Sequence, residues 1–356
     1  MDKHVFEAVA EAFSTVLGIQ VASDHCFCAE KAPKKQRWLL DVMPGFTCVL
    51  TDVKVFSMPK GTLHECKRHT HGTCAVVDGD IHYYGFSCKS ASRADSSVPA
   101  DVKRNMLANN SSSTTTGDTY RNGIMYLRKR KPAFLIWENV DTLADNEAAP
   151  DSNINTIVRD MYDEGYNVSI VKLNALDYAL PQRRLRLVIL GIRKQMESLG
   201  LELDDSECND ALAKAQRSLS SMKQRPPSVL DVMLKDTDKH VQTSLSKLKG
   251  GQRDCSTKAS KLGWPALHMD TMQQHGMRWG DVQPDQKTND SPWFQSLPAR
   301  EKECACFARA LQGEKAVADI SKSITHMAYG FTQSETNKVM LPTILPGAKM
   351  WVQQRH

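Results

Sequence analysis

Phe134-Leu135-Ile136-Trp137-Glu138-Asn139-Val140 is the stretch on which the reading of this chain turns. Its four successive apolar residues, Phe134 to Trp137, show neither a 3.6-residue nor a two-residue period, so they match neither one face of a helix nor a half-exposed strand. They read as a short strand covered on both faces, in the manner of a parallel sheet. Upstream, Tyr120 to Arg130 has a helical pattern ending in the basic run Arg128-Lys129-Arg130-Lys131, which Pro132 stops. That run reads as compensation of the helix dipole. Downstream, Ile154 to Asp163 forms the next helix, Gly165 ends it, and Val168 to Leu173 and Leu187 to Ile192 are further strands.

The same alternation extends toward the N-terminus. Val5, Phe6, Val9, Phe13, Val16 and Leu17 recur at helical spacing, with Gly18 as a C-cap and Ile19 to Ser23 as a strand. Ala32 to Val42 reads as a helix, Cys48 to Phe56 as a strand, and Asp80 to Phe86 as the strand that delivers Cys88. Helices alternating with short strands predict an α/β architecture with a mainly parallel sheet. The polar stretch Ala108 to Gly117 has no apolar period and reads as a loop. Beyond Arg193 the character changes: 203–262 and 280–304 are polar, rich in lysine and arginine, and without a strong period.

Three short motifs sit at the ends of these strands. They are Gly85-Phe86-Ser87-Cys88-Lys89-Ser90-Ala91, then Glu138-Asn139-Val140, then Gln182-Arg183-Arg184-Leu185-Arg186. Each is common by chance, and a lone cysteine is usually an apolar core residue. Their order and their placement at strand ends make them informative together. In that order they resemble the PCQ, ENV and QxRxR motifs of the cytosine-5 DNA methyltransferases, with Ser87, Lys89 and Ala91 where the family has proline, glutamine and phenylalanine, and Ala179 where it has glycine. The resemblance covers roughly residues 1 to 194.

The resemblance implies a doubly wound, Rossmann-like fold, S-adenosylmethionine as methyl donor and a cytosine turned out of double-stranded DNA. It makes Cys88 the nucleophile that adds to C6, since a thiolate is the suitable soft nucleophile. It makes Glu138 the carboxyl group facing the base's N3 and exocyclic amine, Asn139 a residue ordering the local backbone, and Arg184 and Arg186 the guanidinium groups that orient Glu138 and the base. On the donor side it implies Glu30 at the ribose, Asp52 near the adenine, and Gly85 and Phe86 at the strand end. It divides the chain into a catalytic domain at 1–194 and a variable target-recognition-like region at 195–356, in which Lys214, Arg217, Lys223, Arg225, Lys247, Lys249 and Arg253 are available to phosphates. The family's first strand and glycine-rich donor loop have no counterpart before Gly18, and Leu341 to Pro346 resembles the approach to its closing motifs. An inactive nucleic-acid-binding remnant and an RNA (tRNA) cytosine-5 methyltransferase on the same scaffold are the alternatives.

Composition agrees with a soluble intracellular protein; the resemblance implies a nuclear enzyme, expected to act as a monomer. A net charge of +5 suits a polyanionic partner. Ten cysteines without a charged-then-apolar leader argue for reduced thiols rather than a disulfide framework. No apolar run reaches the roughly 18 residues of a membrane span. His64, Cys66, His69, His71 and Cys74 crowd one short segment, with Cys26 and Cys28 earlier. Their spacing fits no common paired-ligand pattern, so no metal is assigned, and a zinc-bearing nucleic-acid module remains a rival reading.

Overall fold

The computed structural model describes residues 24–43, 45–92, 98–108, 114–145 and 149–234, then 264–278, 292–313, 316–322, 327–333, 338–344 and 350–352, with a few single positions between. The expected helix and strand before residue 24 lie outside the described residues, as do Lys247, Lys249 and Arg253. The chain forms two compact units: Met1–Leu173 with Leu185–Met222, and Asn174–Arg184 with Lys223–His356.

In the first unit the longer strands are β1 (Phe27–Ala29), β2 (Cys48–Leu50), β3 (Leu63–Glu65), β4 (Thr73–Ala75), β5 (Ile81–Gly85), β6 (Phe134–Val140), β7 (Tyr166–Asn174) and β8 (Leu185–Arg193), and a two-residue pair joins Gln195–Met196 to Leu201–Glu202. The longer helices are α1 (Pro33–Val42), α2 (Thr115–Arg130), α3 (Asn153–Asp163) and α4 (Asp205–Ser221). The central sheet has the order β5-β6-β8-β7, with β5 parallel to β6 and β8 inserted antiparallel beside β6. β1 and β2 form a parallel pair of their own. The unit thus has the expected mixed α/β architecture, with one reversed strand.

Several elements differ in extent from the sequence reading, each for a local reason. β6 continues through Glu138 and Asn139 to Val140 because its last residues are covered on alternate sides only, so polar side chains are tolerated there. The expected strand at Cys48 to Phe56 stops at Leu50: the Asp52 carboxylate accepts from the Lys54 amide at 3.0 Å and starts a 3₁₀ turn over Val53–Ser57. A strand leading to Glu30 lies at Phe27–Ala29. α2 begins at Thr115, not Tyr120, because the Thr114 hydroxyl accepts from the Gly117 amide at 3.0 Å; residues 109–113 of the polar stretch are outside the described residues. Segment 203–262, read as aperiodic, contains the 17-residue α4. Its capping box, Asp204 with Glu207, was a sequence signal that the dilute apolar pattern concealed.

The main core gathers aromatic side chains behind the sheet's carboxyl edge. Trp137, Tyr120 and Tyr126 are almost fully buried, beside Tyr84 and Phe86. Tyr84 and Trp137 meet edge to face at 5.1 Å, and Tyr120 meets Trp137 likewise at 6.2 Å. Helix α2 approaches this cluster through Gly123, where a Cβ would stand 2.6 Å from both Trp137 Cη2 and Tyr84 Cε1. The basic end of α2 is pinned to the unit's own groups: Arg128 to Glu164 at 2.6 Å, Arg130 to Asp78 at 2.9 Å, and Lys129 to the Ser57 and Met58 carbonyls.

The second unit has its own core around the helix Ala299–Gln312, with Phe294, Phe307 and Ile320 buried. Among the described residues, two short antiparallel pairs join Val317–Asp319 to Met350–Val352 and Phe331–Gln333 to Lys338–Met340. The excursion 174–184 belongs to this unit and is tied to the segment after Met340. Leu341 donates to the Pro181 carbonyl at 2.7 Å, and Arg183 donates back to that of Leu341 at 3.0 Å.

Candidate active site

Parallel register between β5 and β6 pairs Gly85 with Glu138. Where β5 ends, the chain turns through Phe86 and Ser87 to Cys88, so thiol and carboxylate emerge from adjacent strand ends. This is the edge at which open α/β sheets bind ligands. Cys88 is exposed. Its loop is held by side chains from two neighbouring elements. From α2, the Thr119 hydroxyl accepts from the Ser87 amide at 2.9 Å and the Thr116 hydroxyl from the Ser90 amide at 3.1 Å. From beyond β6, Thr142 donates to the Ala91 carbonyl at 2.8 Å. Thr116, Thr119 and Thr142 were not singled out from sequence, because nothing in their local spacing points to the Cys88 loop.

Asn139 is 1 % exposed and links the two motifs. Its Nδ2 donates to the Phe86 carbonyl at 2.8 Å, while its Oδ1 accepts from the Val140 amide at 2.9 Å. An amide carries both a donor and an acceptor, which is what this position uses. Phe86 itself lies in the aromatic core, 5.5 Å from the Tyr120 ring, so its backbone rather than its side chain reaches the strand end. Gly85 lies against the acid: a Cβ there would be in ordinary contact with Glu138 Oε2, at 3.5 Å.

The antiparallel strand β8 places Arg186 opposite Val140 and beside Glu138. Arg186 Nε lies 2.7 Å from Glu138 Oε1, in a pair that keeps partial solvent access. A charge-assisted bond of this length orients the carboxylate. Arg184 stands in the neck of the excursion: its amide donates to Asn174 Oδ1 at 3.0 Å and its carbonyl accepts from Ala175 at 3.0 Å. Arg186 thus holds Glu138 from the strand beside it.

The donor-side acids follow the carboxyl ends of the parallel strands β1 and β2. Glu30 Oε1 accepts from the Ala32 amide at 2.7 Å, and Lys35 Nζ is 3.6 Å from its Oε2. Asp52 caps its 3₁₀ turn and lies 3.8 Å from Lys31 Nζ. Burial, and after it the Asp52 carboxylate, push the Tyr84 phenol up, and that hydroxyl donates to the Thr119 carbonyl at 2.6 Å. Two half-buried carboxylates at neighbouring strand ends fit ribose hydroxyls and an adenine edge in chemical type, though both already serve local bonds.

A family model described as C-5 cytosine-specific DNA methylase matches residues 56–329, well over half of the chain. The chain is 31 % identical over 112 residues to the type II methyltransferase M.MthTI of Methanothermobacter thermautotrophicus, covering 32 % of this chain and 30 % of that protein. It is 33 % identical over 115 residues to M.BsuRI of Bacillus subtilis, covering 32 % and 22 %. Each match thus spans under a third of the relative's length. Among solved structures, the Dnmt2 methyltransferase of S. pombe aligns over 68 % of this chain and 62 % of its own, at a TM-score of 0.35 and 11 % identity. With Cys88, Glu138 and Arg186 at one sheet edge and the family model spanning all three, the chain belongs to the C-5 cytosine-specific DNA methylase family.

Proposed function

We propose that the chain transfers a methyl group to carbon 5 of cytosine in double-stranded DNA through a covalent adduct at Cys88. The observation that carries this reading is the 2.7 Å bond between Arg186 Nε and Glu138 Oε1 at the strand end beside the Cys88 loop. C5 of cytosine is a poor nucleophile until a thiolate adds to C6. Cys88, exposed at the loop, makes that addition, while Glu138, oriented by Arg186, holds N3 and the exocyclic amine as charge develops. Asn139 keeps the two strand ends in register. S-adenosylmethionine supplies the electrophilic methyl, with Glu30 and Asp52 as the residues that would hold its ribose and adenine. Loss of the C5 proton then expels the Cys88 sulfur. The base reaches these groups only when turned out of the stack.

The test is methyl transfer from labelled donor to duplex DNA, with tRNA in a parallel arm. Transfer to DNA that Cys88→Ala abolishes is the expected result. Any transfer retained by that variant refutes the adduct, and transfer to tRNA alone reassigns the substrate. A second reading, a chain that binds nucleic acid without turnover, is favoured by the local engagement of Glu30 and Asp52. Calorimetric titration with S-adenosylmethionine separates the two, since this second reading expects no donor binding.

A further inference from the structure

We propose that Cys48, Cys66, His69 and Cys74 form a structural zinc site that clips the β3–β4 hairpin to β2. Their Sγ and ring-nitrogen atoms all lie within 4.8 Å of one another. His69 Nδ1 is 3.5 Å from Cys66 Sγ, 3.9 Å from Cys48 Sγ and 2.9 Å from Cys74 Sγ. A tetrahedral zinc with bonds of about 2.3 Å to sulfur and about 2.0–2.1 Å to nitrogen has ligand-to-ligand edges of roughly 3.5–3.8 Å. Two of the three contacts fall within or beside that range, and the third is shorter.

The cluster is not what buried cysteines ordinarily make. A neutral imidazole nitrogen is either one donor or one acceptor, so Nδ1 cannot satisfy three thiols at once. One cation at their centre satisfies all four groups. Three thiolates and an imidazole are a soft, closed set that suits zinc and leaves no position open for a substrate.

Backbone bonds place the ligands before any ion arrives. Cys66 donates to the Gly72 carbonyl at 2.8 Å, and Gly72, at a φ of +77°, donates to that of His69 at 2.9 Å, which folds the hairpin loop. Lys67 donates to Val49 at 2.8 Å, and Leu50 and Cys66 form an antiparallel bridge, so the loop meets β2 where Cys48 begins it. His71 stacks on His69 at 4.9 Å with Nε2 3.7 Å from Cys74 Sγ, which makes it a neighbour of the set rather than a fifth ligand. His64 pairs with Cys74 across the hairpin and is not a member. The site shares no residue with the Cys88 machinery.

The full chain, purified under reducing conditions without chelator, is analysed for metal and then titrated with cobalt after zinc removal. The expected result is about one zinc per chain, with cobalt giving a sulfur-to-metal charge-transfer band and the visible bands of a tetrahedral complex. Cys66→Ser and Cys74→Ser lose the metal, while Cys208→Ser and His71→Ala keep it. His69→Cys, which converts the set to four sulfurs, keeps cobalt but shifts its bands, and so tests the site even where a serine variant fails to fold. Absence of both zinc and tetrahedral cobalt bands in the parent chain overturns the proposal. So does a disulfide among Cys48, Cys66 and Cys74 in the reduced preparation, or cobalt bands that His69→Cys leaves unchanged.

Discussion

Replacing Asn139 should separate the two motif strands more than any exposed substitution nearby. The side chain is 1 % exposed and makes two bonds, donating to the Phe86 carbonyl at 2.8 Å and accepting from the Val140 amide at 2.9 Å. In Asn139→Ala both bonds vanish and the Phe86 carbonyl is left without this partner beside the core. A net bond is worth about 1 kcal/mol, and a buried group left unsatisfied costs about 1–3 kcal/mol. The variant is therefore expected to lose about 2–4 kcal/mol. Asn139→Asp discriminates further, because it keeps the acceptor for Val140 but turns a carboxylate oxygen toward the Phe86 carbonyl. It should be at least as destabilised as the alanine variant despite its nearly identical shape. Urea unfolding at neutral pH reads both, with the slope checked for constancy. If both variants stayed within about 0.5 kcal/mol of the parent, as ordinary surface changes do, the linkage assigned to Asn139 would be wrong.

Three further outcomes follow from the same geometry. Gly123→Ala, which in an exposed helix would gain about 1 kcal/mol, should here be neutral to destabilising by about 2 kcal/mol, because its Cβ would stand 2.6 Å from Trp137 Cη2 and Tyr84 Cε1, and overpacking costs about 1–3 kcal/mol; a raised melting temperature would contradict this. Burial pushes the fully enclosed His82 down to about 3, with its Nδ1 accepting from the Trp137 indole at 3.2 Å. Its unfolded-state value is near 6.5, so its neutral form costs nothing above that pH and stability falls as the pH drops below it, by about 1.4 kcal/mol per unit or about 2 kcal/mol by pH 5. His82→Gln keeps an acceptor and cannot titrate, so its urea midpoint should fall less between pH 7 and pH 5, and equal losses in both proteins would refute the assignment. Arg186→Ala removes a part-exposed ion pair worth about 1 kcal/mol or less, yet should lower methyl transfer about a hundredfold because the charge-assisted bond that orients Glu138 is lost; unchanged turnover at full folding would remove Arg186 from the mechanism.

Much of the site was legible before folding, in a specific sense. Cys88, Glu138 and Arg186 were identifiable because their motifs, each beside an apolar run that signals a strand, follow one another in the order of the family they resemble. The pairing of Arg186 with Glu138 was not: it depends on the register of β8 against β6, which no local pattern gives. The helix at Asp205–Ser221 escaped because charged residues dilute its apolar stripe, although its cap was written in Asp204 and Glu207.

Periodicity, caps and motif order thus determined by themselves that this is an α/β chain carrying a thiol, an acid and arginines at strand ends. Those properties depend on neighbours a few residues away. Tertiary structure alone decided that Asn139 would bridge to Phe86, that threonines of α2 would hold the Cys88 loop, and that Cys48 would join Cys66, His69 and Cys74. Each of these contacts links segments far apart in sequence. Strand register and the bonds that fold the hairpin loop bring them together, and no local pattern encodes either.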